Sequence, residues 1–274
     1  PLMGVALLKA VFRLPRARRV FDRWLIRIAE SWIGFNSWMF DRLTSTRLIV
    51  EGLPEADPQG HMLVICNHQS WVDIPVLQKL FNRRLPLLRF FLKSRLIWVP
   101  LLGLAWWALD FPFMKRYSKQ TLARRPELAG RDIETTRRAC RKFRAIPVAV
   151  MNFVEGTRFT PARHVAQDSP YRHLLRPRSG GIAFVLDAMG ETLETIVDVT
   201  VAYPGFDERR PELLDLFADR ISEIRVSIRT FPVPGFVRAL DYENSPDDRH
   251  RFQQWLNELW AEKDCEMKRL LERA

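Results

Sequence analysis

The sequence predicts an α/β fold, and two observations support that prediction. The chain has 274 residues, of which 47% are hydrophobic and 27% charged, a composition typical of a folded globular protein with a sizeable core. Short apolar runs that are typical of buried strands alternate along the chain with stretches of helical periodicity, an order that favours a β-sheet flanked by helices. A disulfide-stapled miniprotein, a disordered chain and a collagen-like repeat are thereby excluded.

Residues 1–45 are predicted to form a helical, membrane-associating segment ahead of the main domain, residues 46–274. Large apolar side chains recur at steps of three and four in residues 20–40, which indicates an amphipathic helix. They are Trp24, Leu25, Ile28, Trp32, Phe35, Trp38 and Met39. Such a helix either packs on its own domain or lies on a membrane, and both alternatives stay open. Residues 2–12 are too short to span a bilayer, so we expect an interfacial helix or the end of a longer span.

The main domain contains four runs that are typical of buried strands. They are residues 62–66, 146–153, 195–201 and 224–228. Helices are predicted between them at residues 73–81, 131–143 and 181–189. The longest uncharged apolar run, residues 96–109, is expected to be buried core or a re-entrant segment, because it is too short for a spanning helix.

A further helix is predicted near the carboxyl end of the chain. Ser245 can cap it, Pro246 suits its first position and Asp248 completes a capping box. Its inner stripe is expected to consist of Phe252, Trp255, Leu256 and Leu259.

The charge balance predicts an anionic partner. There are 43 Lys and Arg residues against 32 Asp and Glu residues, which leaves +11 and favours nucleic acid, a phosphorylated substrate or an anionic membrane. Nine Trp and 18 Phe residues favour a membrane surface over nucleic acid, because aromatic rings beside basic side chains suit a lipid interface. Between Asp73 and Asp110 the chain is basic and apolar with no acidic residue, as expected of a peripheral membrane face.

The cysteine content predicts neither a disulfide framework nor a metal site. The three cysteines, Cys66, Cys140 and Cys265, contain no C-x-x-C pair, and no other metal-ligand spacing is present. A reducing, cytosol-facing compartment fits this content. We expect Cys66 to be a small core residue.

The segment Asn67-His68-Gln69-Ser70-Trp71-Val72-Asp73 lies where a predicted strand ends and a helix begins, a usual place for functional groups in an α/β sheet. After a sharp turn, Asp73 can accept a hydrogen bond from one nitrogen of His68, which leaves the other nitrogen free as a general base. The alternative is an Asp that caps the helix and a His that is satisfied in the interior.

A second polar segment, Phe153-Val154-Glu155-Gly156-Thr157-Arg158, follows the next predicted strand. It brings together an acid, a glycine that permits close backbone approach and a guanidinium that suits a phosphate. Taken alone, it is also compatible with an ordinary polar loop that contains a Glu155–Arg158 ion pair.

Together the two segments resemble the glycerolipid acyltransferase family. Asn67, His68 and Asp73 match its first block, N-H-x-x-x-x-D, and residues 153–158 match its third block, F-P-E-G-T-R, with Val154 in place of the usual Pro. The resemblance covers residues 63–203 and implies a mixed central β-sheet flanked by helices. The sequence is most similar to one enterobacterial branch of the family.

Other blocks of the family match only in part. Phe113-Met114-Lys115-Arg116 matches the F-x-x-R end of the second block, although the Gly that usually opens it has no clear counterpart. Residues 93–103 match the K-x-x-L-x-x-x-P-x-x-G stretch ahead of it. The fourth block, an apolar pair followed by Pro, is Ile196-Val197-Asp198 here, which leaves the role of that block open.

The resemblance implies transfer of a fatty acyl group from acyl-CoA or acyl-carrier protein to the sn-2 hydroxyl of lysophosphatidic acid, with no cofactor. The implied catalytic residues are His68 as general base, Asp73 as the group that orients it, and Glu155, which would hold the loop or orient Arg158. The implied substrate-binding residues are Asn67, Lys93, Arg116, Gly156, Thr157 and Arg158. Arg116 and Arg158 would bind the acceptor phosphate, while the Gly156 backbone and Lys93 are candidates for stabilising the oxyanion.

Further expectations concern the lipid and the membrane. Residues 96–109, with Trp98, Trp106 and Trp107, would wall a cavity for the acyl chain, and core packing is the alternative. The implied location is the cytoplasmic face of a bacterial inner membrane, peripheral or singly anchored, with no nucleic acid partner. Two other functions stay open: acyl transfer to a different hydroxyl or amine, which the altered fourth block permits, and a non-catalytic basic protein that binds anionic lipid or nucleic acid.

Overall fold

The computed structural model describes residues 4, 15–53, 60–100, 102–111, 113–114, 124, 146–206, 209–242 and 244–272. The strands are β1 (Arg47–Glu51), β2 (His61–Cys66), β3 (Leu88–Phe90), β4 (Leu92–Lys93), β5 (Phe113–Met114), β6 (Val148–Phe153), β7 (Thr195–Ala202) and β8 (Glu223–Pro232). The α-helices are α1 (Pro15–Leu43), α2 (Asp73–Phe81), α3 (Leu102–Ala108), α4 (Pro161–Ala166), α5 (Ser179–Met189), α6 (Leu213–Phe217), α7 (Gly235–Arg238) and α8 (Pro246–Glu272). Short 3₁₀ helices lie at Ser94–Trp98 and Gly190–Thr192.

Six strands form one mixed sheet in the order β1-β8-β7-β2-β6-β3, which confirms the predicted fold class. β7, β2, β6 and β3 are mutually parallel, whereas β8 is antiparallel to β7 and parallel to β1. The carboxyl ends of the four parallel strands therefore meet at one edge of the sheet. β4 and β5 form a separate parallel pair.

The central strand β2 is buried on both faces, because helices cover both sides of the sheet. Its side chains alternate: Leu63 and Ile65 pack with α5 and α8, whereas Met62 and Val64 pack with α2. The period of two along a strand produces this alternation. The sequence of β2 is therefore a nearly continuous apolar run and does not alternate between apolar and polar residues.

Helix α1 forms as predicted and buries only part of its apolar stripe against the domain. Its buried residues are Leu25, Ala29, Ile33 and Phe40, and three of them pack with Leu87, Ala108, Leu109 and Phe111. Trp24, Trp32, Phe35 and Trp38 are each more than half exposed. The apolar stripe is thus divided, since Leu25 is buried against the domain and the four aromatic side chains are left at the surface.

Residues 96–109 form no continuous helix. The 3₁₀ helix Ser94–Trp98 is followed by a turn and by α3, and the two approach closely at Gly103, where a Cβ atom would lie 2.0 Å from the carbonyl oxygen of Ile97. Glycine is required here because any side chain would collide with that oxygen. Within the described ranges, no helix has the length and apolar character needed to cross a bilayer.

Most predicted elements of the main domain are confirmed, with boundaries within two residues for β2, α2, β6, α5 and β7. The short strands β1 and β3 were not predicted from the sequence. The predicted helix at residues 131–143, which includes Cys140, lies outside the described residues. At the start of α8, Ser245 caps the helix as predicted by accepting from the N–H of Asp248 at 3.1 Å. The capping box is wrong, because the Asp248 carboxylate accepts instead from the N–H of Asp241.

Candidate active site

The turn between β2 and α2 surrounds the carboxylate of Asp73. Its Oδ2 atom accepts hydrogen bonds from Nδ1 of His68 at 2.8 Å and from the backbone N–H groups of Gln69 at 2.8 Å and Ser70 at 3.0 Å. Asp73 is fully buried at the first position of the helix. The turn thus folds around its own acid, and the sequence separation of five residues between His68 and Asp73 becomes a direct contact.

The His68 ring is held on two sides. Its Nδ1 faces Asp73, and its face stacks on the ring of Phe153 with centroids 3.9 Å apart. Sheet register explains the second contact, since Cys66 at the end of β2 pairs with Phe153 at the end of β6. A carboxylate at Nδ1 favours the tautomer in which Nε2 carries the lone pair. His68 also lines a cavity, so the geometry presents a base to that cavity.

Tyr203 completes the surroundings of Asp73, and sequence reasoning missed it. It follows β7, and its hydroxyl donates to Oδ1 of Asp73 at 2.6 Å. Burial raises the pKa of the Tyr203 phenol well above its ordinary value, and the nearby Asp73 charge raises it further. The phenol therefore stays protonated and remains a donor. Its only sequence signal is its position at the carboxyl end of a buried strand.

The second loop, residues 154–160, is joined to the first by backbone hydrogen bonds. The N–H of Val154 donates to the carbonyl of Cys66, and the N–H of Phe159 donates to the carbonyl of His68 at 2.7 Å. Gly156 has a φ of 69°, a conformation that favours glycine. Its N–H donates to the carbonyl of Phe153 at 2.9 Å, so this N–H is not available for the expected oxyanion contact.

Glu155 lies beneath the loop rather than in the cavity wall. Its side chain is fully buried, and no side chain among the described residues donates a hydrogen bond to its carboxyl oxygens. Burial raises the pKa of Glu155 well above its ordinary value; backbone groups of His68 and Leu175 oppose that rise, while the Asp73 charge adds to it. This geometry favours a loop-holding role for Glu155 over contact with the reacting atoms.

Arg158 and Thr157 line the cavity beside His68. The guanidinium carbon of Arg158 lies 4.7 Å from the centroid of the Trp71 ring, a cation–π arrangement. Trp71 occupies one of the unspecified positions of the first block and is half-exposed. The two loops thus meet a second time, through an aromatic residue that sequence reasoning did not assign.

Asn67 is fully buried and is not part of the cavity wall. Its side-chain amide donates to the carbonyl of Val201 and accepts from the N–H of Val201, both at 2.9 Å. This pair of bonds attaches the first loop to β7. The geometry favours a positioning role for Asn67 over the expected contact with substrate.

Other expected residues are placed only in part. Arg116 lies outside the described residues, and for Lys93 only the backbone, in β4, is described. Cys66 is fully buried, and burial raises the pKa of its thiol well above the ordinary value. A thiol held in the protonated form is a poor nucleophile, which agrees with the expected core role of Cys66.

The cavity beside His68 has a volume of about 840 Å³, within the range of small-molecule sites. Its wall is largely apolar and is built by α1, α2, α3, β3, the end of β6 and the loops between them. From residues 96–109, it includes Leu96, Leu102, Ala105, Trp106 and Leu109. Trp98 and Trp107, also expected in this wall, are instead 85% and 50% exposed and are not part of it.

The altered fourth block has a partner in α8. Asp198 in β7 is buried and forms ion pairs with Lys263 and with Arg229, the latter at 2.8 Å. Lys263 is also buried and donates to the carbonyl of Val199 at 2.7 Å. Asp198 therefore attaches α8 to the sheet, and it does not line the cavity.

The model of the acyltransferase family matches residues 47–204, which is more than half of the chain and includes both loops. The chain belongs to the acyltransferase family. 1-Acyl-sn-glycerol-3-phosphate acyltransferase gamma from Homo sapiens is 26% identical over 272 residues, covering 94% of this chain and 64% of that relative. Lysocardiolipin acyltransferase 1 from Mus musculus is 25% identical over 257 residues, covering 88% and 62%. The chain thus spans less than two thirds of the length of these relatives.

Among solved structures, this acyltransferase is similar to the crystal structure of the 1-acyl-sn-glycerophosphate (LPA) acyltransferase PlsC from Thermotoga maritima. The TM-score is 0.55 at 16% sequence identity, over 99% of this chain and 88% of that chain. This likeness supports the mixed α/β fold. The expected enterobacterial branch is not tested by these comparisons and stays a prediction.

Proposed function

We propose that this acyltransferase transfers a fatty acyl group from an acyl thioester to the sn-2 hydroxyl of lysophosphatidic acid, giving phosphatidic acid. One observation carries the proposal: an imidazole oriented by a buried carboxylate lies in the wall of a large apolar cavity, beside a guanidinium. Such a site combines a base, space for an acyl chain and a phosphate ligand. The relatives named for the acylation of 1-acyl-sn-glycerol-3-phosphate support the same substrate.

In the proposed reaction, Nε2 of His68 takes the proton of the acceptor hydroxyl as its oxygen attacks the thioester carbonyl. The imidazolium that forms is stabilised by Asp73. The tetrahedral intermediate then expels the thiolate, which takes the proton back from His68. An ester and a free thiol are the products, and no acyl-enzyme or cofactor takes part. General-base assistance of this kind contributes about 10²- to 10⁴-fold to the rate.

The substrate has three chemically different parts, and the site offers a matching group for each. Its acyl chains suit the apolar wall that Phe90, Leu102 and Trp106 help to form. Its phosphate suits Arg158, and we keep Arg116 as a second phosphate ligand and Lys93 as an oxyanion ligand in the proposal. Thr157 lines the same cavity as the base and Arg158 and is a candidate for contact with the glycerol oxygens.

We also propose that the enzyme acts at an anionic membrane surface, with the cytoplasmic face of a bacterial inner membrane as its location and acyl-CoA or acyl-carrier protein as the donor. The support is the net charge of +11 together with the exposed Trp24, Phe35 and Trp38 on α1. Such amphipathic rings favour the headgroup level of a bilayer. In this proposal residues 1–45 are the membrane-associating segment, and residues 46–274 are the catalytic domain.

Membrane association can be tested with vesicles. Replacing Trp24 and Trp38 together by Ser is expected to weaken flotation with anionic vesicles, because both rings are more than half exposed on α1. Thiol release in detergent micelles should be retained, since neither residue lines the cavity. Flotation equal to that of the wild type would contradict the proposal for this helix face.

A second candidate function is acylation of a different lysophospholipid. The similarity to a lysocardiolipin acyltransferase favours it, since the base and the apolar cavity serve any lysolipid hydroxyl. Competition between lysophosphatidic acid and other lysolipids for the same labelled acyl thioester distinguishes the two candidates. The acceptor that is used with the higher kcat/KM is the preferred substrate.

The experiment that tests the proposed function is thiol release from palmitoyl-CoA, with and without lysophosphatidic acid, by the wild type and by His68→Ala. We expect acceptor-dependent release that His68→Ala abolishes. His250→Ala, which removes an exposed imidazole of α8, is the matched control and should keep full activity. If neither palmitoyl-CoA nor palmitoyl-acyl-carrier protein is cleaved with any lysolipid, the enzyme proposal fails and a lipid-binding protein is left.

A further inference from the structure

Arg163 is a cavity-lining cation that the sequence motifs do not include. The third block ends at Arg158, whereas Arg163 lies five residues further on, in α4. It belongs to the same cavity wall as His68 and Arg158. Arg163 is exposed and lines the cavity, so its side chain contacts both the solvent and the cavity.

Two hydrogen bonds fix the position of Arg163 relative to Arg158. Its Nη1 donates to the carbonyl of Arg158 at 2.9 Å, and its backbone N–H donates to Oγ1 of Thr160 at 3.2 Å. A guanidinium has five N–H donors, so this contact leaves most of them for a ligand. The guanidinium carbon of Arg158 lies over the ring of Trp71, 4.7 Å from its centroid.

Within the described ranges, no acidic side chain forms an ion pair with Arg158 or with Arg163. Other exposed arginines nearby are neutralised, such as Arg176 by Asp168 at 3.8 Å and Arg209 by Asp215 at 2.6 Å. Two tethered guanidinium groups without acidic partners at the mouth of a cavity favour an anionic ligand. Their planar donor groups match the oxygens of a phosphate.

We propose that Arg163 is an additional phosphate ligand, beyond Arg158 and Arg116, and that it acts with Arg158 to bind the phosphate monoester of the acceptor. This inference rests on the proposed function. The acceptor is favoured over the phosphates of the donor because the loop that contains Arg158 is joined to the base, through the hydrogen bond from the N–H of Phe159 to the carbonyl of His68. The hydroxyl that His68 deprotonates and the phosphate of the same molecule must lie close together.

The test is a comparison of KM values for the two substrates. In Arg163→Ala, KM for lysophosphatidic acid should rise about tenfold, equivalent to about 1.4 kcal/mol of binding. KM for palmitoyl-CoA and kcat should stay near the wild-type values, because uniform binding is lost and not transition-state stabilisation. Arg172→Ala is the matched control: it removes an exposed arginine that is not part of the cavity wall.

Arg163→Gln tests the charge of Arg163 separately from its hydrogen bond to the carbonyl of Arg158. Glutamine can still donate to the carbonyl of Arg158, so the loop keeps its hydrogen bond while the charge is lost. We expect the same rise in KM as in Arg163→Ala. A wild-type KM in Arg163→Gln would overturn the proposal, because the role of Arg163 would then be structural.

The remaining outcomes also decide the matter. An unchanged KM for lysophosphatidic acid in Arg163→Ala overturns the proposal, and so does a rise confined to palmitoyl-CoA, which would assign Arg163 to the donor. Wild-type protein that does not acylate lysophosphatidic acid at all would be a failure of the proposed function. Active wild type with an unaltered variant would be a failure of this inference alone.

Discussion

Two buried carboxyl groups follow neighbouring strands of the sheet, and the protein surrounds them in opposite ways. Asp73, after β2, accepts four hydrogen bonds, from the His68 ring, from the backbone of Gln69 and Ser70, and from the hydroxyl of Tyr203. Glu155, after β6, is equally buried, but no side chain among the described residues donates a hydrogen bond to it, and only backbone groups of His68 and Leu175 oppose the effect of burial. The two loops that contain these acids are joined to each other, so the contrast exists within one site.

The contrast separates an acid that is hydrogen-bonded beside the base from an acid whose pKa is raised by burial. Four hydrogen bonds fix the Asp73 carboxylate next to the imidazole, where a carboxylate stabilises a proton taken up by His68. Burial raises the pKa of Glu155 despite the opposing backbone groups of His68 and Leu175, which favours an uncharged side chain under the loop. The two carboxyl groups therefore have different roles. Asp73 acts electrostatically on His68, and Glu155 acts structurally under the loop.

The largest expected effect comes from removing the charge of Asp73. Asp73→Asn keeps the shape of the side chain but no longer stabilises a protonated His68, so kcat for thiol release should fall by about 10²- to 10⁴-fold. Thermal unfolding measured in parallel checks that the variant is folded. A variant that retains more than about a tenth of the wild-type kcat would contradict the assignment of Asp73 as the group that orients His68.

Glu155→Gln tests the other side of the contrast through the pH dependence of stability. Because the pKa of Glu155 is raised in the folded state, the unfolded chain releases this proton first, from about pH 4.3. The free energy of unfolding of the wild type should therefore fall relative to Glu155→Gln as pH rises from there to the folded-state pKa, by at most about 1.4 kcal/mol per pH unit. Urea unfolding at a series of pH values measures this difference, and parallel curves would refute it.

A smaller effect is expected from Tyr203→Phe, which removes one of the four donors to Asp73. A hydrogen bond to a charged group contributes about 1.5–3 kcal/mol, but three donors remain, so we expect a loss of about fivefold in kcat, close to 1 kcal/mol. Tyr171→Phe is the matched control, because its hydroxyl donates to the carbonyl of Asn257, away from Asp73. Equal kcat losses in both variants would mean that the effect is unrelated to Asp73.

The smallest effect is expected at the second junction of the two loops, where Trp71 contacts Arg158. Trp71→Leu removes a cation–π contact of about 0.5–1 kcal/mol, so KM for lysophosphatidic acid should rise about two- to fivefold with little change in kcat. Trp71→Phe keeps a ring and should lie between the two. If Trp71→Leu instead lowers kcat alone, the ring acts on His68 and not on Arg158.

The elements that were predicted correctly have short-range causes. The strands β2, β6 and β7 follow from largely apolar runs, because strands buried on both faces show little polar alternation. The first turn of α2 is also local, since only four residues lie between His68 and Asp73. In contrast, β1 pairs with β8, about 176 residues away along the chain, a separation that the bond from Arg47 to Glu223 illustrates. No local pattern in the half-exposed sequence of β1 specifies that partner.

The amphipathic pattern of α1 predicts a helix but does not predict which of its apolar residues are buried. The periodicity identifies the helix, but large aromatic residues and small aliphatic residues share its apolar side. In the folded chain Ala29 and Ile33 are buried against the segment that contains Ala108, whereas Trp24 and Trp38 are exposed. Shape complementarity between distant segments is a property of the folded chain.

The sequence alone determined the α/β class, the central strands and the two loops that contain His68, Asp73, Glu155 and Arg158, because each depends on residues that are neighbours along the chain. Only the tertiary structure decided that Tyr203 and Phe153 complete the surroundings of the base, that Glu155 lies under the loop, and that the cavity wall includes Trp106 but excludes Trp98. Those features arise where the parallel strands end at one edge of the sheet. Sheet register brings residues from different parts of the chain together there, and the local sequence does not encode that register.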